Sequence, residues 1–92
     1  MYFINQNYPN PFNSNTTIEY FISRDVGVNI NVYNILGQKV KTLLSGIQTA
    51  GRYSLVWDRT NDHGQIVAYG VYFYQLNIEN EDRITRKMLF VK

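Results

Sequence analysis

Apolar and polar side chains alternate along most of this chain with a period of two, and no stretch carries the apolar spacing of an amphipathic helix. The first clear run is 16–23, with Ile18, Tyr20 and Ile22 on one face and Thr17, Glu19 and Phe21 on the other. Arg24-Asp25-Val26-Gly27 reads as a hairpin-type break. Val28, Ile30 and Val32 then alternate with Asn29, Asn31 and Tyr33, the pattern of a half-buried strand. Asn34-Ile35-Leu36-Gly37 predicts a turn with apolar contacts of its own, and 38–44 a shorter strand in which Val40 faces away from Lys39 and Lys41. Residues 45–51 predict a loop whose last glycine opens a strand over 52–58. There Tyr53, Leu55 and Trp57 share a face, and Trp57 is the best single candidate for the centre of the core.

The polar stretch 59–65, with Asn61, Asp62 and Gly64, predicts a long hairpin connection. Residues 67–78 form the richest strand, with Val71 and Phe73 on one face and Tyr72, Tyr74, Leu76 and Ile78 on the other; burial on both faces is expected of a central strand. Asn80-Glu81-Asp82 predicts the last turn and 83–92 a closing strand. Upstream, Asn7-Tyr8-Pro9-Asn10-Pro11-Phe12-Asn13-Ser14-Asn15 is turn chemistry, rich in proline and asparagine, with Tyr8 and Phe12 expected to pack down as anchors. The sum is an all-β, antiparallel β-sandwich of about seven strands spanning 16–92, with residues 1–15 as a segment packed on it.

Composition narrows this picture. Ninety-two residues suit one domain, and eight Tyr, five Phe and one Trp favour strands. The net charge is only +2. The main basic group, Arg83, Arg86, Lys87 and Lys92, is too sparse for the basic stripe of a nucleic-acid binder. With no cysteine, neither a disulfide framework nor a thiolate zinc site can form. No apolar run approaches the roughly 20 residues of a membrane helix. The first residues lack the basic region and apolar core of an export leader, so a leader, if there is one, lies elsewhere.

Catalytic chemistry finds no constellation. His63, the only histidine, sits in the turn Asn61-Asp62-His63-Gly64 and reads as a solvated loop residue. The run from Asp58 to Gly64 alternates oxygen-bearing side chains, but a calcium loop of the EF-hand kind needs glycine at its sixth position and glutamate at its twelfth, where this chain has His63 and Tyr69. Its Asp and Asn residues are better suited to satisfying backbone donors in a turn. The acids Glu19, Asp25, Asp58, Asp62, Glu79, Glu81 and Asp82 fall mostly in or near turns and pair into no hydrolytic dyad. No metal, cofactor or catalytic residue is expected. Tyr33 and Tyr69 are the side chains that would stack on a sugar if the domain bound one.

Several segments, in order, resemble a known family. They are Asn7-Tyr8-Pro9-Asn10-Pro11-Phe12-Asn13, Val32-Tyr33-Asn34-Ile35-Leu36-Gly37-Gln38-Lys39-Val40, Gly51 with Tyr53 and Trp57, Gly64, Tyr69-Gly70-Val71-Tyr72-Phe73-Tyr74, and Lys87-Met88-Leu89-Phe90-Val91-Lys92. Together they are similar to the type A C-terminal sorting domain of the type IX (Por) secretion system, and also to the Ig-like domain of the flagellar hook-capping protein. The resemblance covers about residues 5–92. It implies an Ig-like β-sandwich and a non-catalytic signal that directs a fused cargo protein across the outer membrane, for release or cell-surface attachment. It implies as partners an outer-membrane shuttle and a sortase-like transpeptidase.

The resemblance maps sorting recognition onto Gly51 and Tyr53 and onto Lys87, Met88, Leu89, Phe90, Val91 and Lys92; Pro9, Asn10 and Pro11 match its N-terminal motif. Arg59 stands where many members carry glycine, which predicts a differently shaped turn. The terminal strand would then act by pairing its backbone with a partner or by offering Lys87 and Lys92 to an acidic surface. Free strand edges would also favour dimerisation. The alternatives are a structural Ig-like spacer or assembly module and a carbohydrate-binding accessory module of a secreted enzyme.

Overall fold

The computed structural model describes residues 1–81 and 83–92, so Asp82 of the expected last turn lies outside the described residues. Seven strands form: β1 (Tyr2–Ile4), β2 (Thr16–Ile22), β3 (Val26–Tyr33), β4 (Lys39–Gln48), β5 (Gly51–Trp57), β6 (Gly70–Ile78) and β7 (Arg83–Phe90). They pair antiparallel in two sheets, ordered β1-β2-β5 and β4-β3-β6-β7. This is an Ig-like sandwich in which β4 sits beside β3 rather than beside β5.

The alternation seen in the sequence decides what each sheet buries. Ile18, Tyr20 and Ile22 face Val28, Ile30 and Val32 across the core, and Tyr72, Tyr74, Leu76 and Ile78 complete the second inner face. Trp57 is fully buried, as its position predicts. Its indole N–H donates to the Thr60 carbonyl at 2.9 Å, so the one polar atom of the ring is satisfied.

Several expectations change. Residues 45–48 belong to β4, not to a loop. Two register shifts against β3 break the alternation of β4, so that Val40, Leu43 and Leu44 all pack against the core despite their spacing. The break at 24–27 is not a hairpin, and the stretch 59–65 folds back on itself, with Thr60 bridged antiparallel to Ile66, but does not join two strands of one sheet. Each carries the chain from one sheet to the other, and Val26 and Gly27 already belong to β3. Strand β6 begins at Gly70 rather than at 67, and β7 stops at Phe90, leaving Val91 and Lys92 beyond it. The expected anchors divide: Phe12 is buried while Tyr8 is exposed. The turn Asn34-Ile35-Leu36-Gly37 forms, but Ile35 and Leu36 point into solvent at 71% and 77% exposure instead of finding apolar contacts.

Candidate functional site

Residues 5–12 form a strap that crosses from the first sheet to the second. Its first part follows β2: the Asn5 N–H donates to the Glu19 carbonyl at 2.8 Å, and Tyr8 and Thr17 exchange two backbone bonds of 2.8 and 3.0 Å. The strap then turns at Pro9-Asn10-Pro11, where both proline bonds are cis. Beyond the turn, Phe12 joins β7 in a parallel bridge opposite Phe90.

A buried asparagine organises this crossing. Asn7 is 2% exposed, and its backbone N–H donates to the Tyr74 hydroxyl at 2.8 Å. Its amide nitrogen donates to the Thr16 hydroxyl (2.8 Å) and the Pro9 carbonyl (3.2 Å), and its amide oxygen accepts from Gln6 (2.7 Å). The Tyr74 hydroxyl in turn donates to the Asn5 carbonyl at 2.6 Å. Burial raises the Tyr74 phenol above its ordinary pKa, opposed by the Asn7 N–H and by Arg86, so it stays a neutral donor. Among the described residues no buried side-chain polar atom lacks a partner.

The strap occupies the outer edge of the terminal strand. Gln6 donates to the Lys87 carbonyl (2.7 Å), and the Leu89 N–H donates to the Asn10 side chain (2.9 Å). The Phe12 N–H donates to the Leu89 carbonyl (3.0 Å), and the Val91 N–H to the Phe12 carbonyl (2.9 Å). Arg86 reaches the Ile4 carbonyl at 2.8 Å. Beneath these bonds the Phe12 ring stacks on Phe90 (5.3 Å between centroids) and meets Trp57 edge-on (5.7 Å). Thus the structure brings Pro9, Asn10 and Pro11 together with residues 87–91, although some 80 positions separate them. The backbone edge once available for strand addition at 87–91 is taken by the chain itself, so pairing there with a partner, one of the two actions expected of this strand, is blocked while the strap is seated.

The terminal residues divide by face. Met88 and Phe90 are each 1% exposed, whereas Lys87, Leu89 and Lys92 face solvent and Val91 is half-buried. Gly51 and Tyr53 lie elsewhere. Gly51 pairs with Ile22 and Trp57 with Thr16, while Trp57 and Phe90 both pack on Phe12. Gly51 therefore starts β5 at the far end of the sandwich, six residues or roughly 20 Å from the Trp57 end. Its φ of 155° favours glycine. The Tyr53 ring stacks on Tyr20 at 5.2 Å, and its hydroxyl bonds to Thr49. Local patterning does not mark Gln6 and Asn7 as organisers, because their partners on β6 and β7 are distant in the chain; the one signal is that Asn7 opens the segment shared with the resembling family.

The loop after Trp57 is held locally. The Asp58 carboxylate accepts the Thr60 hydroxyl and N–H, and the hydroxyl bond is the main reason its pKa lies below the usual range. Asn61 accepts the N–H groups of His63 and Gln65 at 2.9 and 3.0 Å, and Asp62 accepts that of Thr42 at 3.0 Å. Arg59 has φ 64°, the left-handed conformation that glycine favours, and its guanidinium donates to the Asn13 carbonyl at 3.0 Å. The turn therefore keeps a glycine-like backbone instead of a different shape. Among the described residues, no three His, Cys, Asp or Glu side chains gather as metal ligands.

The fold is thus an Ig-like β-sandwich whose terminal strand is clasped by the strap at residues 5–12. The chain belongs to the family of secretion system C-terminal sorting domains, which matches residues 6–92. Such a domain is the signal for type IX secretion, and it marks proteins that are secreted or attached at the cell surface through the secretion machinery. Among solved structures the fold is similar to dimeric latent PorU from Porphyromonas gingivalis, with a TM-score of 0.76 and 20% identity. The match covers 99% of this chain and 9% of the PorU chain, so the likeness concerns the fold. No curated protein matches the chain in sequence.

Proposed function

We propose that this domain works without catalysis, as an address read from its side chains at the end of the sandwich where the strap meets β7. One observation carries the reading. Within 87–92, Met88 and Phe90 serve the core, while Lys87, Leu89 and Lys92 face outward from a strand whose backbone edge is already filled. Recognition then proceeds through an ordered set of side chains, with Pro9, Asn10 and Pro11 shaping the strap that holds them. Residues 1–15 act with 16–92 as one unit carried by a fused cargo. The partners that the family suggests are an outer-membrane shuttle that meets this end and a sortase-like transpeptidase that acts on the cargo. Gly51 and Tyr53 enter as a second, separate contact along the outer strand β5. The edges of β4 and β5, not that of β7, are where two copies would pair.

The test is export of a neutral reporter fused to the chain in a type IX-competent bacterium. Lys87→Glu with Leu89→Asn and Lys92→Glu should abolish release while the purified domain keeps its thermal midpoint. Tyr53→Ala reports on the second contact. Wild-type export of the triple variant would overturn the assignment.

A further inference from the structure

The turn between β3 and β4 holds two large aliphatic side chains in water on a rigid frame. The Asn34 side chain accepts the N–H groups of Leu36 and Gln38 at 3.0 Å each, and its amide donates to Gln38 at 2.9 Å. The backbone closes the turn with Asn34 N–H to Gln38 carbonyl and Gly37 N–H to Asn34 carbonyl, both 3.0 Å, and Gly37 takes φ 78°. The connector at 61–65 is closed by the same set of bonds around Asn61, so what sets 34–38 apart is the pair of exposed aliphatic side chains on that frame. Ile35 and Leu36 are thus pre-organised in an exposed position.

They do not stand alone. A groove of about 340 Å³ separates them from Tyr69 and Val71, and another of about 400 Å³ lies between Ile35 and Phe73. Val71 is directly opposite Leu89, Phe73 is opposite Lys87, and Tyr69 packs on Phe90 at 4.7 Å. The exposed apolar side chains Ile35, Leu36, Tyr69 and Leu89 therefore lie on the same end of the sandwich as the terminal strand. Lys39 (opposite Tyr33), Lys87 and Lys92 flank them. Asp62 stands with Lys39 in the groove between the turns at 34–38 and 61–65, where it accepts the Thr42 N–H. Asp58 accepts from Thr60, and Asp25, Glu79 and Glu81 lie in the turns of the opposite end, so Lys87 and Lys92 carry most of the basic rim.

We propose that this apolar surface with its lysine rim docks a protein partner whose own apolar side chains enter the grooves beside Ile35 and whose rim carries carboxylates. The charge pattern selects an acidic rim, and the paired grooves accept protruding side chains, which a lipid headgroup layer does not offer. The assignment rests on the reading that the secretion machinery meets this end, and it extends the contact from residues 87–92 to a turn some 50 positions earlier in the chain.

The test uses the same reporter fusion. Ile35→Asn with Leu36→Asn should lower the exported fraction at least fivefold with an unchanged thermal midpoint, and Ile35→Leu with Leu36→Ile should restore it. Lys39→Glu should lower export as well. Wild-type export of the double asparagine variant, alongside failure of the Lys87, Leu89 and Lys92 triple variant, would overturn this inference and leave the proposed function standing; wild-type export of both would overturn both. Two further measurements address other occupants. Concentration-dependent dimerisation, or binding to phosphatidylglycerol vesicles, abolished by the asparagine pair would overturn the inference in favour of a second copy or a membrane. A monomer that ignores the vesicles supports it.

Discussion

Along β7 the outer backbone groups of residues 87–91 are filled by the strap, and the Phe12 ring seals the core behind them. Along β4, at the other side of the same sheet, the guard is partial. The Asp62 N–H donates to the Val40 carbonyl, the Asp62 carboxylate accepts the Thr42 N–H, and past that point Ser45, Gly46 and Ile47 are exposed. What tames β4 is irregularity, through two register shifts and a glycine at φ 140°. Each guarded region is also tied down by a buried tyrosine: Tyr74 holds the strap, and Tyr20 bonds to Gln48 at the end of β4 at 3.1 Å. The strand proposed to present the address is thus the one clamped along its edge, whereas the irregular strand lends only its first residue, Lys39, to the proposed surface.

Removing the plug is the strongest way to break this contrast. Phe12→Ala should cost about 3–5 kcal/mol in denaturant unfolding, a large share of the stability of a small domain. A loss below about 1 kcal/mol would mean that the strap merely lies on the surface. Tyr74→Phe keeps the ring but leaves the Asn5 carbonyl and the Asn7 N–H without their partner. It should cost about 1–3 kcal/mol and speed amide exchange at Asn7 and Leu89 more than anywhere on β4.

Alkali probes the other side. Burial, with Tyr53 adding to it, pushes the Tyr20 phenol up to about 12 from an ordinary 10.0. The unfolded chain therefore loses this proton first, so stability holds below about pH 10 and falls as pH rises toward 12. Tyr20→Phe should flatten that fall, leaving the part that belongs to Tyr72 and Tyr74, whose phenols burial also raises. Unfolding measured from pH 8 to 12 gives the slope. The smallest effect belongs to the open stretch: Ile47→Lys, at a site 80% exposed, should change stability by less than about 0.5 kcal/mol.

The strands that could be read from the chain are those whose alternation serves one flat face. Ile18-Tyr20-Ile22 and Val28-Ile30-Val32 fell where their period placed them, and Trp57 took the centre. Strand β4 was cut short at Leu44 because Ser45 and Gly46 carry turn chemistry, and the inward packing of both Leu43 and Leu44 went unseen because no period of two describes its register shifts. Strand β1, three residues long, carries too little pattern to be seen. The sheet changes at 24–27 and 59–65 passed as hairpins because turn chemistry fixes how a chain bends, not which sheet it joins. At the candidate site, the chain's pattern singled out residues 87–92 as one block but did not divide them into the inward Met88 and Phe90 and the outward Lys87 and Leu89. The strap on β7 was not legible, since a contact between residues 12 and 90 leaves no local trace.

The clasp between residues 6–12 and 87–91 also sets an order of assembly. Nearly the whole chain must close into a loop before these bonds can form, so they belong to the late, slow part of folding, after the local β3–β4 and β6–β7 hairpins. A domain cut short before β7 loses the seat of its own strap and exposes Phe12 and Trp57 to water. The surface proposed for recognition therefore comes into being only on a domain synthesised through its last strand, and its presence certifies that the domain has been made in full.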